Sequence, residues 1–453
     1  MRRASQNVDF SDESGTDSMK VCKFGGSSLA DAAQFKKVKQ IIKADAQRVY
    51  IVPSAPGKRS CDDTKVTDLL YAYHAAMSCG DDGAALFDEI RQRFVTLRDE
   101  LKLSTDIELH LDTIFCDVKN GAGVDYTVSR GEYLNGILMA DYLEFDFIDP
   151  AETIFFNMDG VYESEKTRTV MRGRLRHSKN AVIPGFYGSM PDGKIKTFSR
   201  GGSDITGAIV ARSARADVYE NWTDVSGVLM ADPRIVEKPK VIKKITYREL
   251  RELSYMGATV LHEDAIFPVF KANIPINIKN TNAPDDPGTM IVPNVSDGDT
   301  DIITGIAGKK GFSVIAVEKA NMNAELGFGR RMLWALEKNN ISFEHMPSGI
   351  DTLGIVLANS EIEGKQPQLL DDVYNLCQPD SLEVFKGLAL IATVGRGMIS
   401  TVGVAGRLFS ALAENEVNIR MIDQGSSEIN IIVGVDEKDF EKAIRAIYNA
   451  FCS

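Results

Sequence analysis

Between residues 20 and about 280, short apolar runs alternate with stretches whose apolar residues recur at helical spacing, and this alternation constrains the fold more than any other feature. Residues 20–24 and 49–52 read as buried strands, the second closed by Pro53, and residues 218–222 as a third. After Leu29, the residues Ala33, Val38, Ile41 and Ile42 fall on one helical face. Further helices are predicted over 63–78, 84–101, 131–143 and 203–213. Strands that alternate with helices build a mainly parallel sheet, an α/β architecture. In such sheets ligands collect at the carboxyl ends of the strands.

The pattern breaks at residues 280–300, where Pro284, Pro287, Gly288, Pro293 and Gly298 mark a linker region. Beyond it a strand–helix–strand order (313–318, 328–339, 341–345) recurs at 388–393, 404–415 and 417–422. The helix ends match as well: Leu336-Glu337-Lys338-Asn339-Asn340-Ile341 against Leu412-Ala413-Glu414-Asn415-Glu416-Val417. Two small βαββαβ modules are predicted.

A chain of 453 residues, 44% hydrophobic and 26% charged, has room for two to four domains with a sizeable core. A net charge of −12 argues against a nucleic-acid or anionic-membrane surface, and no apolar run approaches the ~20 residues of a membrane span. Six cysteines without C-x-x-C spacing predict reduced thiols and a cytoplasmic protein. Residues 1–18 are polar and read as a disordered extension.

Four segments concentrate the chemistry. Lys23-Phe24-Gly25-Gly26-Ser27-Ser28 spans the end of a strand and the start of a helix, where free N–H groups and a cation suit a phosphate. Its spacing is neither that of the P-loop nor that of the Rossmann fingerprint. Ser199-Arg200-Gly201-Gly202-Ser203-Asp204 repeats the idea with a carboxylate added. Thr223-Asp224 ends the strand at 218–222, with Asp232-Pro233-Arg234 shortly after, and Ser129-Arg130-Gly131-Glu132 is predicted to open a third helix.

Taken together and in this order, with Thr223-Asp224-Val225-Ser226-Gly227 included, these segments resemble the motifs of aspartate kinases over residues 20–280. The C-terminal modules, and Gln424-Gly425-Ser426-Ser427-Glu428-Ile429-Asn430-Ile431 in particular, are similar to the paired ACT domains of those enzymes. The resemblance implies a monofunctional enzyme with a three-layer αβα amino-acid-kinase domain (19–297) and two ferredoxin-like ACT domains (298–380 and 381–453). The implied reaction is ATP-dependent phosphorylation of the L-aspartate β-carboxylate, the first step toward lysine, threonine and methionine.

The residue types suit that reaction. Two anions must meet, so Lys23 is expected at the transferring phosphoryl group, helped by the Gly25 and Gly26 amides, with Asp204 orienting it. Glu132 matches the substrate ammonium and Arg200 its α-carboxylate, and Thr67 and Ser203 match the family's substrate-contacting hydroxyls. On the nucleotide side the resemblance implies Ser27, Thr223, Asp224 and Arg234. It also implies Leu229 and Thr259, which stand where many relatives carry an aromatic residue and a lysine. Mg²⁺ is expected to arrive with the nucleotide, without a motif of its own. His262 and His345 are expected to be structural. In the ACT modules Met322, Glu325 and Gly327 lie on a strand-to-helix loop, and Ser348 and Asp351 lie on a turn. Asp351 could meet the side-chain ammonium of lysine, so lysine is the expected feedback inhibitor. A homodimer or homotetramer through the ACT domains is expected. The alternatives are another amino-acid or carboxylate kinase, such as glutamate 5-kinase or acetylglutamate kinase, and a catalytically inactive amino-acid sensor.

Overall fold

A computed structural model describes residues 18–199, 201–258, 261, 263–295 and 301–452, with backbone alone at 263–266. The described residues divide into two compact units, the first drawn from 18–224 and 267–277, the second from 225–266 and 278–452.

In the first unit the predicted alternation is realised as β1 (Lys20–Phe24), α1 (Ala32–Lys43), β2 (Arg48–Pro53), α2 (Val66–Ser78), α3 (Ala84–Leu101), α4 (Ile107–Lys119), α5 (Val124–Leu143), β3 (Asp146–Phe147), α6 (Ser164–Leu175), β4 (Ala181–Val182), the hairpin β5 (Tyr187–Ser189) and β6 (Ile195–Thr197), α7 (Gly202–Ala214) and β7 (Val218–Thr223). Five of these strands lie in the order β3-β4-β2-β1-β7, every pair parallel. The central strands are apolar runs because both of their faces are covered. Cys22, Phe24, Ile51 and Trp222 point into one core with helices α1 to α5. Val21, Tyr50 and Tyr219 are in register with one another and face the other way. There the Tyr50 hydroxyl donates to the Leu175 carbonyl of α6, and the Tyr219 hydroxyl donates to the Asp204 carbonyl of α7. That alternation gives three layers, helix–sheet–helix.

Two sequence expectations are corrected. The segment after β1 is first a four-residue 3-10 turn, Gly26–Leu29; α1 starts later, where Asp31 caps it by accepting from the Gln34 amide at 2.8 Å. Ser129-Arg130-Gly131-Glu132 does not open a helix but lies inside α5, which begins at Val124.

The second unit begins with β8 (Lys244–Thr246) and α8 (Tyr247–Tyr255), the latter opened by a capping box between Thr246 and Glu249. Helix α9 (Glu263–Lys271) and strand β9 (Ile276–Asn280) follow in the chain. The region expected to be a linker contains a strand, β10 (Thr289–Val292), parallel to β8. Its first residue is anchored: Thr289 donates its hydroxyl to the Ile242 carbonyl and accepts from the Val228 amide.

Next come β11 (Gly305–Glu318), α10 (Phe328–Lys338), β12 (Thr352–Ala358), α11 (Asn359–Ile362), α12 (Gln366–Cys377), β13 (Ser381–Val394), α13 (Val404–Glu414), β14 (Ile419–Asp423), β15 (Asn430–Asp436) and α14 (Phe440–Cys452). Their strands form one antiparallel sheet in the order β12-β11-β13-β15-β14, so the two predicted modules share a sheet along β11 and β13. The strand predicted at 341–345 is reduced to one bridge, His345 to Val356. Pro347, which has no amide to donate, follows it closely.

Candidate active site

All the strands around β1 end at the same edge, and a cavity of about 630 Å³ opens there. Its wall carries Lys23, Gly26, Ser27, Thr67, Glu132, Ser203, Asp204 and Asp224, drawn from six different elements and loops of the first unit. Sequence reasoning had named each of these residues.

Lys23 is 7% exposed, and its ammonium lies 2.6 Å from Asp204 Oδ1. The placement follows from register: Lys23 shares the strand face of Val21, the side covered by α7, and Asp204 sits in that helix's first turn. Gly201 precedes α7 at φ 70°, a left-handed conformation that glycine adopts without strain. Asn221 Nδ2 donates to the same Asp204 oxygen at 2.8 Å. Asp204 is therefore held from two sides and holds Lys23 in turn.

Glu132 is 5% exposed, and Oε2 has no hydrogen-bond partner among the described residues. Burial pushes its carboxyl up to about 8, against the smaller opposing pull of the Ala55 amide and of Arg130 and Lys23. A buried acceptor without a partner, on a cavity wall, suits a cationic ligand group that would both pair with it and ionise it.

The glycine cradle differs from expectation. The Gly25 amide donates to the Trp222 carbonyl at 3.0 Å, so it is committed to the sheet. Gly26 and Ser27 remain on the cavity wall, opposite the strand-end loop Ser54-Ala55-Pro56-Gly57-Lys58. The two loops touch: a Cβ built on Gly57 would lie 2.6 Å from the Gly26 carbonyl carbon. Only glycine fits there. With a 3-10 turn instead of a long helix behind Gly26, the helix dipole contributes little there, and the positive charge on the wall comes from Lys23, Lys58 and Lys65.

The remaining predicted residues divide as follows. Thr223 ends β7, next to Asp224. Leu229 and Arg234 belong to the second unit, where Arg234 forms a two-pronged pair with Asp232, the shorter contact 2.6 Å. Arg200, Thr259 and His262 lie outside the described residues. His345 pairs with Asp423 at 2.8 Å within the second unit. In the ACT modules Met322 is buried, Glu325 is paired with Lys319 and Arg331, and Gly327 caps α10 at φ 78°. The Ser348 backbone bridges to Leu353, and Asp351 Oδ1 accepts from the Asn321 amide at 2.7 Å.

Sequence reasoning missed Asn221, Phe186, Lys58 and Lys65. The Pro-Gly loop after β2 could have been flagged, because it ends a parallel strand where ligands collect. Asn221 carried a weaker signal, a polar residue within a buried strand.

The described residues hold no group of three or more His, Cys, Asp or Glu able to grip a metal ion. The carboxylates at the cavity, Asp204 and Asp224, fit an ion held chiefly by phosphate oxygens and water, with few protein ligands. No helix among the described residues is long and apolar enough to cross a membrane.

A cavity that presents a held cation and a buried carboxyl, one of whose oxygens has no partner among the described residues, at the strand ends of a three-layer sheet suits a small-molecule phosphotransferase. Comparison with known proteins agrees. The model of the amino acid kinase family matches residues 18–280, and that of an ACT domain matches residues 391–451. Aspartokinase 3 of Bacillus subtilis is 40% identical over 448 residues, covering 96% of this chain and 98% of that protein. The crystal structure of Clostridium acetobutylicum aspartate kinase is 54% identical, with a TM-score of 0.87, over 96% of this chain and all of that one. Two structures of E. coli aspartokinase III, both 25% identical, also cover 96% of this chain and all of theirs. One, in complex with aspartate and ADP (R-state), has a TM-score of 0.73; the other, with lysine and aspartate (T-state), 0.72. The chain belongs to the aspartate kinases of the amino acid kinase family. Its reaction is the ATP-dependent phosphorylation of aspartate on the β-carboxylate, and its ACT half is regulatory.

Proposed function

We propose that the cavity around Lys23 is where this reaction takes place, with the following division of labour. Lys23 sits between the γ-phosphate and the substrate β-carboxylate and offsets the charge of two approaching anions. Asp204, itself held by Asn221, keeps the ammonium aimed and takes no proton, because a carboxylate nucleophile arrives ionised. Glu132 receives the substrate ammonium and Arg200 the α-carboxylate, with Thr67 and Ser203 as hydroxyl partners. Gly26, Ser27, Thr223 and Asp224 serve the nucleotide, with Leu229, Arg234 and Thr259 as further contacts, while Gly25 shapes the loop. Mg²⁺ would supply neutralisation of the β- and γ-phosphates when bound, with Asp204 and Asp224 on the cavity wall as the carboxylates that would hold it.

The observation that carries this reading is the shared cavity wall of Lys23, Asp204, Glu132, Thr67 and Ser203. Release of ADP with L-aspartate tests it. Lys23→Ala should lower kcat by about 10²- to 10³-fold or more in a folded protein. Turnover near that of the unaltered enzyme would remove Lys23 from the reaction.

Lysine is the proposed inhibitor, bound by the ACT half near Met322, Glu325, Gly327, Ser348 and Asp351; a lysine complex of E. coli aspartokinase III supports the choice. Pairing of ACT modules into a homodimer or homotetramer and residence in the cytoplasm complete the proposal. The free thiols of Cys22, Cys61, Cys79, Cys116, Cys377 and Cys452 suit a reducing compartment.

A further inference from the structure

We propose that Arg93, on the helix behind the cavity, is a positioning residue that locks the two glycine loops into the shape the phosphates need. The inference rests on the active-site assignment above. Arg93 is 3% exposed, and its guanidinium is spread across three separate stretches of backbone. Nη2 donates to the Gly57 carbonyl at 2.7 Å and to the Ala30 carbonyl at 3.4 Å. Nη1 donates to Asp63 Oδ2 at 2.9 Å and to the Thr64 carbonyl at 3.3 Å. Ala30 closes the 3-10 turn that begins at Gly26, and Gly57 belongs to the facing loop. The loops also bond directly, the Gly57 amide donating to the Gly26 carbonyl at 2.9 Å.

A cation buried this deeply is costly unless its donors are satisfied, and here backbone carbonyls do most of that work. The arrangement has a geometric consequence. Gly57 lines the cavity while its carbonyl is tied to Arg93, so the loop's backbone is fixed where an anion would meet it. Asp63 balances the charge and is itself held by Arg59, whose hydrogen bonds keep its carboxyl well below the usual carboxylate range. Lysine could keep the charge but not the planar fork that reaches Gly57, Ala30 and Asp63 together.

The test is Arg93→Lys, with kcat per folded enzyme, KM for aspartate, KM for ATP and melting temperature measured together. The expected result is a lowered melting temperature together with a fall in kcat of about 10- to 100-fold per folded enzyme, the KM for aspartate staying nearly unchanged. Arg59→Ala, which removes hydrogen bonds to Asp63 and none to the carbonyls of Gly57, Ala30 or Thr64, should keep its kcat. A folded Arg93→Lys enzyme with unaltered kcat overturns the proposal, as does an activity loss that only tracks the unfolded fraction. Should the variant not fold, hydrogen exchange on the unaltered, ligand-free enzyme decides: slow exchange at the Gly57 amide is expected, and exchange at open-loop rates overturns the idea. Lys23→Ala separates the two readings. If it retains turnover, the site assignment falls; if it is inactive while Arg93→Lys is normal, only the role of Arg93 falls.

Discussion

Glu132 lies on the cavity wall with no partner among the described residues for one of its oxygens, and its consequences are measurable from solution pH alone. Its folded-state value is raised from the ordinary 4.5 to about 8. The stability this group contributes is therefore complete below about pH 4.5 and is lost as pH climbs through about 8, at up to about 1.4 kcal/mol per unit. At pH 7 the unliganded side chain holds its proton. An ammonium docked against it favours the carboxylate, so about one proton should leave for each aspartate bound at pH 7, and almost none well above pH 8. Calorimetry in buffers of different ionisation enthalpy reads this directly. Glu132→Gln should abolish the release, weaken aspartate binding by about tenfold or more, and flatten the loss of stability between pH 5 and 8. A binding enthalpy independent of buffer would contradict the assignment.

Among the elements, α8 shows how a buried carboxylate can join segments distant in sequence. Glu249 Oε2 accepts from the Thr246 amide and hydroxyl at 2.9 and 2.6 Å; Oε1 accepts from the Thr304 hydroxyl at 2.6 Å and the Arg396 amide at 3.0 Å. Glu249→Ala would leave four donors without their acceptor and should destabilise the second unit by about 3 kcal/mol or more. Urea unfolding followed by Trp334, the tryptophan of that unit, checks it; an unshifted midpoint would mean that the cap is dispensable. Elements of this kind also show what was legible. Strand β2 was readable because residues buried on both faces form an apolar run, Tyr50, Ile51 and Val52. The start of α5 was not, because Thr127, Ser129 and Asn135 are polar yet buried and no side chain caps Gly123. Gly131 read as a helix opener, but it marks close packing: a Cβ there would lie 2.9 Å from Ala55 Cβ. In the site, Lys23 announced itself through a glycine-rich strand end and Asp204 through a glycine-rich helix start, whereas Arg93 acts through carbonyls that come together only in three dimensions.

Feedback control belongs to the whole molecule, because an effector can inhibit only by binding one arrangement of the enzyme better than another. By linkage, lysine should then lower the affinity for a substrate by the same factor by which that substrate lowers the affinity for lysine. Asp351 is the proposed contact for the lysine side chain, but one of its oxygens already accepts from the Asn321 amide. Removing the carboxylate altogether would conflate the loss of a turn with the loss of a charge. Asp351→Asn separates them, since the amide oxygen can still accept from Asn321 while the negative charge is gone. If Asp351 meets an ammonium, this variant should keep its melting temperature and basal kcat, while the lysine concentration for half-inhibition rises about tenfold or more. Asp351→Glu, which keeps the charge, should lose less. A lysine response unchanged in Asp351→Asn would restrict Asp351 to capping its turn and place the effector's cation elsewhere in the ACT half.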